Sequence, residues 1–116
     1  MDNKSLAVLK GLSLDIIQNA KAGHPGMTLS AAPILYTLYS KQLRVNPSNY
    51  NWINRDRFVM SAGGGSALLY AMLFLSGYQF SIDDLKNYGR LNSKTPSYPE
   101  ITTTGVDAST GCLGEG

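Results

Sequence analysis

The stretch Arg57-Phe58-Val59-Met60-Ser61-Ala62-Gly63-Gly64-Gly65-Ser66, running into the apolar segment Ala67–Leu75, decides how this chain reads. A β-branched and aromatic core between charge and glycine predicts a short strand over 57–61. Three successive glycines then predict a flexible turn. Ser66 is placed to cap a helix over 67–75. That helix is apolar on every side, which predicts burial. A strand, a glycine turn and a buried helix in sequence point to an α/β unit. Such a turn exposes backbone N–H groups at the positive end of a helix, which suits phosphate. It lacks the spacing of a dinucleotide fingerprint or a P-loop, so a plain tight βα turn remains the competing reading.

Upstream, Leu6, Leu9, Leu12, Ile16 and Ala20 recur at helical spacing, with Lys4, Lys10, Asp15 and Asn19 mostly off the stripe. This predicts an amphipathic helix of four to five turns, ended by Gly23 and Pro25. A second helix is expected from about Thr28 or Ser30 to Leu43, with Pro33 tolerated in its first turn. Residues 46–51 are loop by composition. Downstream, Gly77 stops the buried helix. Ser81-Ile82-Asp83-Asp84 then starts a short one that ends near Tyr88-Gly89, its acids favoured by the helix dipole. From Asn92 onward Thr, Ser, Pro and Gly dominate. A loop of this length is either functional or lacks its packing partner. About four helices and one strand cannot make a sheet. We therefore expect residues 1–116 to be one partial domain, mostly helical, with its sheet incomplete. The apolar helices from Leu6 and Ala67 would then leave faces uncovered and favour self-association.

The totals narrow the classes. Hydrophobic residues make up 43% of the 116, enough for a core. Net charge is +2 and the charges are scattered, which argues against nucleic acid or an acidic membrane as partner. The longest apolar run, Ala67–Leu75, falls short of the ~20 residues that span a bilayer. The N-terminus carries no secretory pattern, and the one cysteine, Cys112, forms no internal disulfide. A soluble, cytoplasmic chain is expected.

Few side chains could carry chemistry. His24 is the only histidine, set between a helix end and Pro25-Gly26. Alone it reads as a structural or surface residue, and no second ligand at metal spacing accompanies it. Cys112 has no histidine near it in sequence to activate it. Asp83 and Asp84 belong to a helix start, and Arg55, Asp56 and Arg57 form local surface pairs. Trp52 and the seven tyrosines are spread out.

Taken together, Ala22-Gly23-His24-Pro25-Gly26, Asn54-Arg55-Asp56-Arg57-Phe58-Val59-Met60-Ser61-Ala62-Gly63, Ser93-Lys94-Thr95-Pro96 and Thr110-Gly111-Cys112-Leu113-Gly114-Glu115-Gly116 resemble the N-terminal part of transketolases. The resemblance implies a doubly wound α/β domain that binds thiamine diphosphate with Mg or Ca. It also implies a homodimer, and ketol transfer between sugar phosphates. It gives His24 a catalytic position at the substrate hydroxyls, and makes Gly64, Gly111 and Leu113 cofactor-binding positions. No metal ligand falls within the chain. Two family histidines are replaced, by Gly64 and by Tyr98, and Glu115 stands where the family has a neutral amide. The metal motif and the carboxylate that activates the cofactor lie past residue 116. The chain alone is therefore expected to be inactive. It would act with a complementing transketolase fragment or as a homo-oligomer; the alternative is a non-catalytic module that keeps only the fold.

Overall fold

A computed structural model describes residues 3–111. It holds four α-helices in the order α1 (Asn3–Ala20), α2 (Pro25–Thr37), α3 (Ser66–Leu75) and α4 (Ile82–Lys86). The stripe read from the sequence seats α1: Leu9 and Ile16 are buried, and Leu6, Leu12 and Ala20 pack against the core. Ser13 is buried too, its hydroxyl donating to the Leu9 carbonyl at 2.7 Å. The helix stops where Lys21 takes a left-handed φ of 54° and Gly23 one of 128°. Lysine adopts that conformation only at a steric cost, and glycine adopts it freely.

Helix α2 starts earlier than the sequence predicts. Pro25 occupies its first position, where a missing N–H costs nothing. His24 is the residue before it, and the Thr28 N–H donates to the His24 carbonyl at 3.1 Å. Pro33 consequently falls inside the helix and not in its first turn. A proline there removes one backbone donor. Beyond it the Thr37 and Ser40 hydroxyls bond back to the carbonyls of Pro33 and Tyr36, at 2.9 and 2.6 Å. The chain then widens into a π-turn over Leu38–Gln42, closed by Leu43 N–H on Leu38 O at 2.8 Å.

Helix α3 lies at the centre. Every residue from Ser66 to Leu73 is buried. Helices α1 and α2 pack on it and on each other. Fully burying one such side chain, Leu68 for example, stabilises by about 1.5–3 kcal/mol. The expectation that the Ala67 helix leaves a face uncovered is therefore corrected. Ser66 does not cap α3 either, because its hydroxyl turns away toward Tyr88 and Ser97. The reading of α4 holds: the Ser81 side chain takes the Asp84 N–H at 3.0 Å, and Asp84 returns the bond to Ser81 N–H at 2.8 Å.

The expected strand over 57–61 does not form. Residues 56–60 take no regular secondary structure, and no β-strand occurs among the described residues. A strand needs a neighbour to exchange hydrogen bonds along its length, and only Ala62, just past this segment, is in a bridge. Side chains satisfy the segment's backbone in its place. The Phe58 N–H donates to Asp107 Oδ2 at 2.8 Å, and Asp56 closes a two-way bond with the Arg44 backbone at 2.7 and 2.8 Å. The expected local pairing of Arg55, Asp56 and Arg57 is likewise corrected. Arg55 reaches 52 residues along the chain to Asp107, with Nε and Nη2 both 3.2 Å from Oδ1. Arg57 instead donates to the carbonyls of Ile53 and Arg55.

Asp107 belongs to the long irregular stretch that the composition predicts. That stretch is not loose. Thr95 and Pro99 are fully buried, and Val106 joins the core. Tyr70 donates to the Pro96 carbonyl at 2.7 Å, Thr95 to Asp84 O at 2.6 Å, and Thr110 N–H to Pro99 O at 2.9 Å. The aromatic residues are not spread out in space: Tyr70 meets Tyr88 edge-on at 6.0 Å and Phe80 at 6.3 Å. Cys112 to Gly116 lie outside the described residues. No helix is long and apolar enough to cross a membrane among those described.

Two tests follow from this packing. Asp107→Ala leaves the half-buried Arg55 guanidinium and the Phe58 N–H without their carboxylate. It is expected to lower stability by about 2–4 kcal/mol in urea unfolding. Burial raises the hydroxyl pKa of Tyr39, Tyr70, Tyr78 and Tyr88 above the ordinary value of 10.0. The folded state therefore holds those protons more tightly than the unfolded chain. Their contribution to stability is complete below pH ~10 and is lost as the pH climbs above it. The part of the phenolate absorbance that belongs to these four tyrosines should rise with unfolding and not before it.

Candidate glycine-turn site

Gly63–Gly65 form one turn of 3₁₀-helix that leads straight into α3. The turn consumes its own donors. Gly63 N–H bonds Ser61 O at 3.0 Å, Gly65 N–H bonds Ala62 O at 2.9 Å, and Ser66 N–H bonds Gly63 O. The sequence reading, in which the turn exposes its N–H groups to an anion, is corrected for these three. What the glycines supply instead is room. A β-carbon at 63 would fall on the Gly111 carbonyl, well inside contact distance, and 3.0 Å from Cδ1 of Tyr98. A β-carbon at 64 would lie 2.6 Å from Cδ2 and 3.0 Å from Nε2 of His24. At 65 it would press on Met27 and Met60 at 3.2–3.4 Å.

The turn thus gathers residues far apart in sequence. His24 comes from the entry to α2, where Pro25 fixes the chain direction. Its backbone is extended, with φ −125° and ψ 86°, and its side chain is exposed. Tyr98 and Gly111 come from the irregular stretch that follows α4. His24, Tyr98 and Gly111 are residues that the sequence singles out, and here they surround the turn that holds Gly64. Leu113 lies outside the described residues.

Behind the turn stands a hydrogen-bonded support that the sequence reading missed. Ser66 Oγ donates to the Ser97 carbonyl at 2.5 Å and shares a 2.7 Å bond with the Tyr88 hydroxyl. Tyr70 holds the Pro96 carbonyl on the same segment. One signal was available: Tyr70 lies in a helix apolar on every side, and a buried tyrosine hydroxyl needs a partner. That support fixes residues 96–98 against the start of α3 and so fixes where Tyr98 sits.

Chemically, the site offers one exposed imidazole, one half-exposed phenol and a close-packed backbone. The space that β-carbons at 63–65 would take is already occupied by Gly111, Tyr98, His24, Met27 and Met60, so the turn brings these groups together. Its polar side chains can donate to oxygens of a phosphate or a polyol. No three His, Cys, Asp or Glu side chains converge to hold a metal ion among the described residues. A groove of about 440 Å³, lined by Val8, Tyr36, Tyr39 and Met72 among others, lies elsewhere and shares no residue with the turn.

A family model described as transketolase, thiamine diphosphate binding domain, matches residues 1–116. The transketolase of Bacillus subtilis is 56% identical over 117 residues, covering 100% of this chain and 18% of that protein. The solved transketolase of Leishmania mexicana superposes with a TM-score of 0.91 at 42% identity, covering 97% of this chain and 17% of that one. That of Pichia stipitis in complex with sedoheptulose 7-phosphate gives 0.91 at 45%, with the same coverage of 97% and 17%. The chain thus spans less than a fifth of the length of these relatives.

Gly63 is the position where a side chain is least tolerable, because its neighbour is backbone. Gly63→Ala is expected to cost more than 2 kcal/mol in thermal or urea unfolding. Gly11→Ala is the matched control. It sits exposed in α1 with nothing near its added methyl, and should stabilise by about 0.5–1 kcal/mol.

Proposed function

The chain belongs to the transketolase family, within the thiamine diphosphate binding domain, and from that premise we propose that it forms part of a site for ketol transfer between sugar phosphates. The observation that carries the reading is the convergence of His24, Gly64, Gly111 and Tyr98 on one glycine turn. These are the positions that the family resemblance assigns to substrate and cofactor.

Thiamine diphosphate, when bound, would supply the carbanion chemistry that side chains lack. The residues here would contribute positioning. The turn at Gly63–Gly65 would hold the His24 imidazole, the Tyr98 ring and the Gly111 backbone close together. The exposed His24 imidazole would hydrogen-bond a sugar hydroxyl and move a proton at it. Gly64 has no side chain to do either. Tyr98 can donate a hydrogen bond, and a phenol is a poorer proton shuttle than an imidazole. No cluster that would neutralise a diphosphate with a divalent cation lies among the described residues. We assign that role to a complementing transketolase segment, which would also supply the strands of a doubly wound sheet. A reducing cytoplasm suits a chain with one cysteine.

A second reading, a non-catalytic module that retains the fold, draws support from one feature. The volume of a side chain at 64 is filled by His24, and Tyr98 packs against Gly63. Complementation separates the two readings. The chain is combined with a Bacillus subtilis transketolase lacking the matching N-terminal segment, and ketol transfer is followed. Recovery to a rate about 10²–10⁴ below that of the intact relative supports the site reading. A stable complex with no activity above background favours the module. For the chain alone, calorimetry with thiamine diphosphate and magnesium should show no sub-millimolar binding; a sub-millimolar constant would refute the incomplete site.

A further inference from the structure

His24 and Gly64 compete for one volume. The imidazole lies over the backbone of residue 64, with Cδ2, Nε2 and Cγ at 2.6, 3.0 and 3.3 Å from where a β-carbon would stand. At 2.6 Å, carbon against carbon is far inside contact distance, so one group has to move. Main chain cannot yield there: residue 64 sits mid-way in a hydrogen-bonded turn, between Gly63 under the Gly111 carbonyl and Gly65 against Met27 and Met60. The ring, exposed and at the end of a rotatable side chain, is the part that moves.

We infer that Gly64 is the positioning residue for His24: the absence of a side chain at 64 seats the imidazole against the turn, so that residue 24 presents the single imidazole of the site from the position-64 side. The inference deepens the proposed function and rests on it for its catalytic meaning. It changes what the glycine signifies. Gly64 is not only a missing histidine; it creates the seat that the remaining histidine occupies. A side chain restored at 64 displaces His24 from the turn before it adds anything.

The sole histidine makes the test clean, because every imidazole signal belongs to His24. In the unmodified 116-residue chain, a nuclear Overhauser contact between His24 Hδ2 and the Gly64 α-protons is expected; its absence overturns the inference. In Gly64→Ala that contact should vanish and the Hδ2 resonance should shift. Gly26→Ala, whose methyl meets nothing although it stands two residues from His24, should leave both in place. An unshifted His24 in a folded Gly64→Ala chain also overturns it. Should Gly64→Ala unfold, the double variant His24→Ala/Gly64→Ala decides. With the ring gone, most of the Tm loss should be recovered, and an equal loss in both backgrounds is the contrary result. These readouts need no ligand. A failed complementation therefore leaves them standing, and their failure leaves the proposed function standing.

Discussion

Three consecutive residues without side chains, Gly63 to Gly65, set the distances on which the rest of the structure depends. The Gly111 backbone and the His24 imidazole approach the turn more closely than a β-carbon would permit, and the Tyr98 ring and two methionines lie tight against it. Close approach of backbone is a use of glycine distinct from its access to left-handed φ. Here it lets α3 start directly beneath the irregular segment, with no intervening layer of side chains. The burial of α3 from Ser66 to Leu73 follows, since the segment lies close enough to cover it.

What holds the segment there is polar. A chain with no β-strand among its described residues must find other partners for irregular backbone. Asp107 serves both sides, binding the Phe58 N–H through one oxygen and Arg55 through the other. The hydroxyls of Tyr70, Tyr88, Ser66 and Thr95 fix the carbonyls of Pro96, Ser97 and Asp84. Each bond is worth about 1 kcal/mol net, and each leaves a larger penalty if one partner is removed. Side chains here do what neighbouring strands do in a complete sheet.

The same arrangement bears on chemistry. The turn brings together one exposed imidazole, one phenol and close-packed backbone. Shape and proton transfer are separable: a cradle depends on small residues and backbone, whereas acid–base work depends on a titratable group within reach of the reacting atom. Residue 64, a glycine, has no side chain for such work.

Much of this was legible in the sequence, for definite reasons. The α1 stripe, the all-apolar α3 and the Ser81–Asp84 box are local patterns, and local patterns decide local structure. His24, Gly64, Tyr98 and Gly111 could be named because family spacing marks them one by one. Three things were not legible. Residues 56–60 have strand composition, but pairing depends on a neighbour that composition does not contain. Pro33 could be placed in a helix and not located within it, because Pro25 set the start. Asp107 looked like any loop carboxylate until folding brought it to Arg55 across 52 residues. Sequence by itself determined that α1, α3 and α4 are helical, that α3 is buried, and the family that the chain resembles. Only the tertiary structure decided that His24 fills the place of a side chain at 64. The physical reason is that exclusion of one atom by another is a matter of distance in space, and separation along the chain does not encode it.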